Sequence, residues 1–142
     1  MTLTKELILL VGPPGSGKTT YCKEVLPESF RISQDDQGKE EHWGAFQEAI
    51  QEGVQSIVID RMNYTVEQRL KYLNIAKTNN YKTKIINFSR VPFDICLRRT
   101  VEREDHPTIK KGDMNTSRMA ISNFFRQYEN IGDTESDEII FY

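Results

Sequence analysis

The chain opens with an unbroken apolar run at 7–11, closed by a Gly-Pro turn. A short apolar run without alternation is what a strand covered on both faces requires. Residues 18–26 then read as a helix that stops before Pro27, and 30–33 as a second short strand. Over 40–51 the positions Trp43, Phe46 and Ile50 share a helical face, and Gly53 ends the element. A β-branched apolar strand follows at 56–60. Thr65 with Gln68 forms a capping box, and Val66, Leu70 and Leu73 continue at helical spacing. A fourth strand is expected at 82–88. Pro92 suits a helix start, with Phe93, Leu97 and Val101 continuing that helix. Residues 104–114 are polar and contain Pro107 and Gly112, so they read as a loop. A last helix at 115–128 places Ile121, Phe124, Phe125 and Tyr128 on one face, and 138–141 reads as a closing strand.

Strands alternating with helices predict an α/β fold: a parallel sheet of about five strands with helices on both faces. Ligands in such sheets bind beyond the carboxyl ends of the strands. The residues just after each strand are therefore where chemistry is expected. The pattern shows no repeat and no linker, so residues 1–142 are expected to form a single domain.

Composition narrows the class. Hydrophobic residues make up 37% and charged residues 28%, a globular balance. The net charge is −2, which argues against a long electrostatic footprint on nucleic acid but leaves room for a local cationic pocket. The opening apolar run is too short to span a bilayer and lacks the flanks of a secretory signal. Cys22 and Cys96 lie far apart, so reduced thiols and a cytoplasmic location, without a membrane, are expected.

The sharpest chemical signal is Gly12-Pro13-Pro14-Gly15-Ser16-Gly17-Lys18-Thr19, which fits G-x-x-x-x-G-K-[ST] throughout. Its glycines let successive backbone N–H groups turn toward one phosphate, and the helix that begins there adds its positive end. Lys18 can reach the β- and γ-phosphates, the Thr19 hydroxyl can ligate Mg²⁺, and Thr20 completes the nucleotide-binding stretch. ATP as phosphate donor and Mg²⁺ as cofactor follow.

Carboxylates stand after the next two strands. Asp35 and Asp36 follow the second; one can orient and deprotonate an acceptor hydroxyl, or either can simply cap a turn. Asp35 is read as the functional member and Asp36 as the turn or cap residue. Asp60 ends the third strand, where an acidic residue holds a metal-bound water or the acceptor. Asn63 can contact the acceptor or start the turn into Thr65. Arg61 can meet an acceptor phosphate or lie in solvent. Arg99 and Arg103, four apart, share a helix face with Arg98 nearby, and suit a lid over about 98–114 that closes on transferring phosphates. The bland reading of that helix is a charge-laced surface. His42 and His106 show no metal spacing. Trp43 reads as core rather than as a stacking platform, Lys110 and Lys111 as a loop, and 133–137 as an acidic surface turn.

Together these residues resemble the 5′-hydroxyl polynucleotide kinase family of phage and mammalian end-repair enzymes, from Leu7 to about Tyr128. The resemblance rests on the phosphate loop, on Ser33-Gln34-Asp35-Asp36 with Gly38, on Asp60-x-x-Asn63, and on Val91-Pro92 leading to Arg99, Arg103 and Pro107. It implies a P-loop kinase fold with a helical lid. It also implies transfer of the ATP γ-phosphate to a 5′-OH end of DNA or RNA with Mg²⁺. In that family Asp35 matches the general base, and Asp60 and Asn63 match the acceptor motif Asp-x-Thr-Asn. Arg99 and Arg103 match lid arginines on the nucleotide phosphates. Departures are Met62 in place of Thr, Arg61 in place of a small polar residue, and Gly38-Lys39 where some phage members carry an acceptor-binding arginine. No phosphatase or ligase domain is fused within these residues, so separate proteins are expected to supply those steps. The rival readings are a small-metabolite kinase (of shikimate, gluconate or an antibiotic) and a nucleotide-binding regulatory module.

Overall fold

The computed structural model describes residues 4–38, 40–102 and 114–142, except for the side chain of Asp35. Five strands form one parallel sheet: β1 (Glu6–Val11), β2 (Phe30–Ser33), β3 (Ser56–Asp60), β4 (Lys82–Asn87) and β5 (Glu138–Phe141), in the order β2-β3-β1-β4-β5. Six helices connect them: α1 (Lys18–Val25), α2 (Gln34–Gln37), α3 (Glu41–Glu52), α4 (Val66–Thr78), α5 (Phe93–Glu102) and α6 (Met114–Gln127). The expected strands and helices are all present among the described residues, and the strand Lys82–Asn87 ends one residue early. The expected loop at 104–114 lies outside the described residues apart from Met114, which already belongs to α6.

The unbroken apolar strands have a direct explanation. Leu7, Leu9 and Val11 of β1 face a core built with Phe46 of α3, Leu73 of α4 and Phe124 of α6. Ile8 and Leu10 face the opposite layer with Cys22 of α1 and Phe88. Both faces of β1 are therefore dry, and alternation would place a polar group in one core or the other.

Helix faces follow the sequence less closely. The buried side of α4 carries Arg69, Tyr72, Leu73 and Ala76, whereas Val66 and Leu70 lie at its margin. Arg69 is fully buried. Its Nε donates to Glu135 Oε1 at 2.8 Å, and its other nitrogens donate to the carbonyls of Asn63, Glu129 and Asn130. The stretch expected as an acidic surface turn thus turns inward at Glu135, whose carboxylate also accepts from the Gly132 amide. A buried guanidinium needs this counter-charge and these acceptors to offset its lost hydration. On α6 the buried positions are Ser117, Ile121 and Phe124, and Phe125 remains partly exposed against Phe93.

Register positions the site. Asp60 sits opposite Leu10 of β1 and Ser33 of β2. The ends of three neighbouring strands therefore open into one cleft, beside the loop that joins β1 to α1.

Candidate active site

The β1–α1 loop is shaped by backbone that only glycine holds easily. Gly15 and Gly17 have φ of 79° and 106°, left-handed values that strain other residues. A methyl group on Gly15 would also run into the Cys96 carbonyl and the Thr100 hydroxyl of α5. The loop is thereby packed directly on the helix that carries Arg99, and Arg99 Nη1 donates to the Gly15 carbonyl at 3.4 Å. The Ser16 hydroxyl donates to the Pro13 carbonyl at 2.8 Å. Lys18 is buried, and its ammonium donates to the carbonyls of Gly12 and Pro13 at 2.8 and 2.9 Å.

Thr19 and Asp60 meet as their positions suggest: the Thr19 hydroxyl donates to Asp60 Oδ2 at 3.0 Å. A hydroxyl and a carboxylate this close are hard oxygen donors that suit Mg²⁺, which takes few protein ligands and completes its shell with water and phosphate oxygens. Among the described residues there is no cluster of three or more His, Cys, Asp or Glu side chains that could hold a metal ion.

Arg31 is the site residue that sequence reasoning missed. From the middle of β2 it donates through Nε and Nη2 to Asp60 Oδ2, at 2.9 and 2.7 Å, and pairs with Asp36 at 3.0 Å. Burial works against its charge, but Asp60 beside it more than compensates and holds it protonated more firmly than usual. Its only sequence signal is a charged residue inside a short apolar strand. Asp36 is thus a partner of Arg31, and the cap of α2 is Ser33: its hydroxyl accepts from the Asp36 amide while Gln37 returns to the Ser33 amide. Cys22 lies under this cluster. Burial first, and the Asp60 charge second, push its thiol up to about 12.

Asn63 has a left-handed φ of 49° and is buried, with its side-chain amide donating to the carbonyls of Leu10 and Arg61. It ties the β3–α4 loop to β1. Arg61 projects beside it, with Nη1 3.0 Å from His42 Nε2. The capping box at Thr65 and Gln68 forms as expected and starts α4. Asp35 lies in α2 directly after β2; its side chain is outside the described residues. So are Arg103, Pro107 and the part of the lid beyond Glu102, together with Lys39, His106, Lys110 and Lys111. Arg98 and Arg99 stand exposed on α5.

Lys18, Thr19, Arg31, Asp60, Arg61 and Arg99 all line one cleft of about 850 Å³, which runs from the phosphate loop to the wall formed by α3 and α4. A phosphate loop on the central strand of a parallel sheet, with a hydroxyl and a carboxylate paired beside it, defines the P-loop kinase fold. The chain belongs to a family of AAA domains, whose model matches residues 7–129.

Curated relatives are similar over part of their length. A protein of Acanthamoeba polyphaga mimivirus, named as a bifunctional polynucleotide phosphatase/kinase, is 40% identical over 80 residues. The match takes in 54% of this chain and 19% of that protein. Transcription factor bHLH140 of Arabidopsis thaliana is 31% identical over 110 residues, 70% of this chain and 12% of that protein. The chain therefore spans only a fifth or less of these relatives. Among solved structures, a fungal RNA kinase is similar with a TM-score of 0.72 at 19% identity, over 99% of this chain and 76% of that one. A gluconokinase from Sinorhizobium meliloti 1021 is similar with a TM-score of 0.59 at 11% identity, over 99% and 83%. At these identities the structural likeness concerns the fold. No helix among the described residues is long and apolar enough to cross a membrane.

Proposed function

We propose that the chain is an ATP-dependent polynucleotide 5′-hydroxyl kinase, transferring the γ-phosphate of ATP to the 5′-OH end of DNA or RNA. The observation that carries the choice of acceptor is the 40% identity to the mimivirus polynucleotide phosphatase/kinase. The phosphate loop, Lys18 and the positive end of α1 receive the donor triphosphate. Thr19, with Asp60 through water, holds Mg²⁺, which when bound neutralises charge on the phosphates. Asp35, one residue into α2, accepts the proton of the attacking hydroxyl; Asp60, Arg61 and Asn63 form the acceptor side. Arg99, with Arg103, stabilises charge on the transferring group. Transfer of this kind is mostly positioning and electrostatics, so one carboxylate base and well-placed cations suffice.

A kinase of a small metabolite is the second reading, favoured by the fold likeness to a gluconokinase. Incubation with γ-labelled ATP, Mg²⁺ and a 5′-OH oligonucleotide separates them. Label on strand ends supports the proposal. Label only on a small alcohol refutes it, and nucleotide binding without transfer to either refutes both in favour of a regulatory module. In the same assay Lys18→Ala should lower transfer by about a hundredfold or more, the effect of removing one charged stabiliser from a phosphoryl-transfer site.

A further inference from the structure

Three of the cations that line the cleft, Arg31, Arg61 and Lys71, differ in their partners. Arg31 is neutralised by Asp60 and Asp36. Arg61 and Lys71 are different: among the described residues neither meets a carboxylate, and both are oriented by neutral groups. Arg61 Nη1 stands 3.0 Å from His42 Nε2, and the Tyr72 hydroxyl stands 3.0 Å from the same nitrogen. A guanidinium can only donate, so in this contact Nε2 is the acceptor. Lys71 Nζ lies 4.5 Å over the Trp43 ring, an attraction that aims the ammonium without cancelling it.

The supporting wall is closely packed. Trp43 packs edge-on against Tyr72 at 5.3 Å and tilted on Phe46 at 5.4 Å. His42 and Tyr72 are buried. Three elements converge here: the end of β3 supplies Arg61, α3 supplies His42 and Trp43, and α4 supplies Lys71 and Tyr72. All five line the same cleft as the phosphate loop, on a wall distinct from the α5 wall that carries Arg99. Two positive charges inside a cleft that meet no carboxylate among the described residues are suited to an incoming anion, and a phosphate fits both a forked and a point donor.

We infer that Arg61 and Lys71, positioned by His42 and Trp43, form a phosphate subsite for the acceptor strand, taking the phosphodiester adjacent to the end that receives the phosphoryl group. This rests on the reading of the acceptor as a nucleic-acid end. His42 is a positioning residue: it holds Arg61 without spending its charge.

The test compares a 5′-OH oligonucleotide with the same strand carrying an uncharged methylphosphonate at its first linkage. In the unaltered enzyme the neutral linkage should raise the acceptor KM about tenfold, the worth of one charge-assisted hydrogen bond. Arg61→Gln and Lys71→Gln should each raise KM about tenfold on the native strand and less than about threefold on the methylphosphonate. The KM for ATP should stay within about twofold, and the salt dependence of acceptor binding should become shallower by about one charge. His42→Leu should mimic Arg61→Gln, whereas His42→Gln, which retains an acceptor, should keep most of the affinity. Lys71 is exposed, so its variant decides the matter even if a His42 variant folds poorly. Equal penalties on both linkages, or no cost for the neutral linkage, overturn the subsite and leave the kinase reading standing. Label on a small acidic alcohol, with none on any oligonucleotide, overturns the kinase reading itself and the strand subsite with it.

Discussion

Replacing Arg69 by Met should be the most damaging change outside the cleft. The side chain is fully buried and bonds Glu135 and the carbonyls of Asn63, Glu129 and Asn130. Methionine fills similar volume, so the cavity term is small and the electrostatic term dominates. Among the described residues Glu135 would keep the Gly132 amide alone, and its buried carboxylate would lose its counter-charge. Breaking a buried pair in this way costs about 3–5 kcal/mol. The carbonyls of Glu129 and Asn130 are less enclosed and can turn to water, so they add little. Against a total stability of about 5–15 kcal/mol, such a loss removes a large share. With a urea slope of about 2 kcal/mol/M, the unfolding midpoint should fall by about 2 M. The partner change has the opposite logic: Arg69→Met with Glu135→Leu removes the stranded charge as well. The double variant should therefore recover at least about 1 kcal/mol relative to Arg69→Met alone. Urea titrations of the three proteins, followed by tryptophan fluorescence and far-UV circular dichroism, measure both quantities. A loss below about 1 kcal/mol for Arg69→Met, or a double variant less stable than the single one, would refute the account of a charge held by its partner.

Other consequences are more local. Asp35→Asn should reduce transfer by about a hundredfold or more, the usual range for a lost proton acceptor, with ATP affinity within about twofold by equilibrium binding; near-normal rates would remove Asp35 from the base role. Gly15→Ala places a methyl group on the α5 backbone at a left-handed φ, and should cost about 1–3 kcal/mol. A melting temperature lowered by about 4 °C or more checks it. Cys22, with its thiol pushed up to about 12 by burial and then by Asp60, should resist a disulfide reagent at pH 8 in the folded protein and react within minutes once unfolded. A fast reaction in the folded state would contradict the burial. The sign for stability follows: burial of the neutral thiol favours the folded state below the ordinary thiol range, and that contribution is lost as pH rises toward 12.

Contiguous signals were readable along the chain. The phosphate loop is eight consecutive residues, so its conformation and its ligand class follow from local stereochemistry. The Thr65–Gln68 box is equally local, and it forms. The strands β1 and β3 announce themselves because the middle of a sheet covered on both faces has few polar positions to spare. Charges were harder to read. Arg31 stands alone in its strand; Asp60, its partner, lies 29 residues away. Arg69 carries no signal in the helical pattern around it, and Glu135, 66 residues on, falls in the stretch expected as an acidic surface turn. His42 has no motif, and its role depends on Arg61 and Tyr72 arriving from two other elements.

The amino-acid order by itself therefore determined the parallel α/β layout, the position of the phosphate loop and the strand ends that open onto it. These depend on periodicity and on short-range backbone geometry. Tertiary structure alone decided which charges meet a carboxylate among the described residues and which do not. Arg31 and Arg69 found carboxylates, whereas Arg61 and Lys71 found an imidazole and an indole face. Coulomb energy and desolvation depend on distance and burial in space, and neither quantity has a period along the chain.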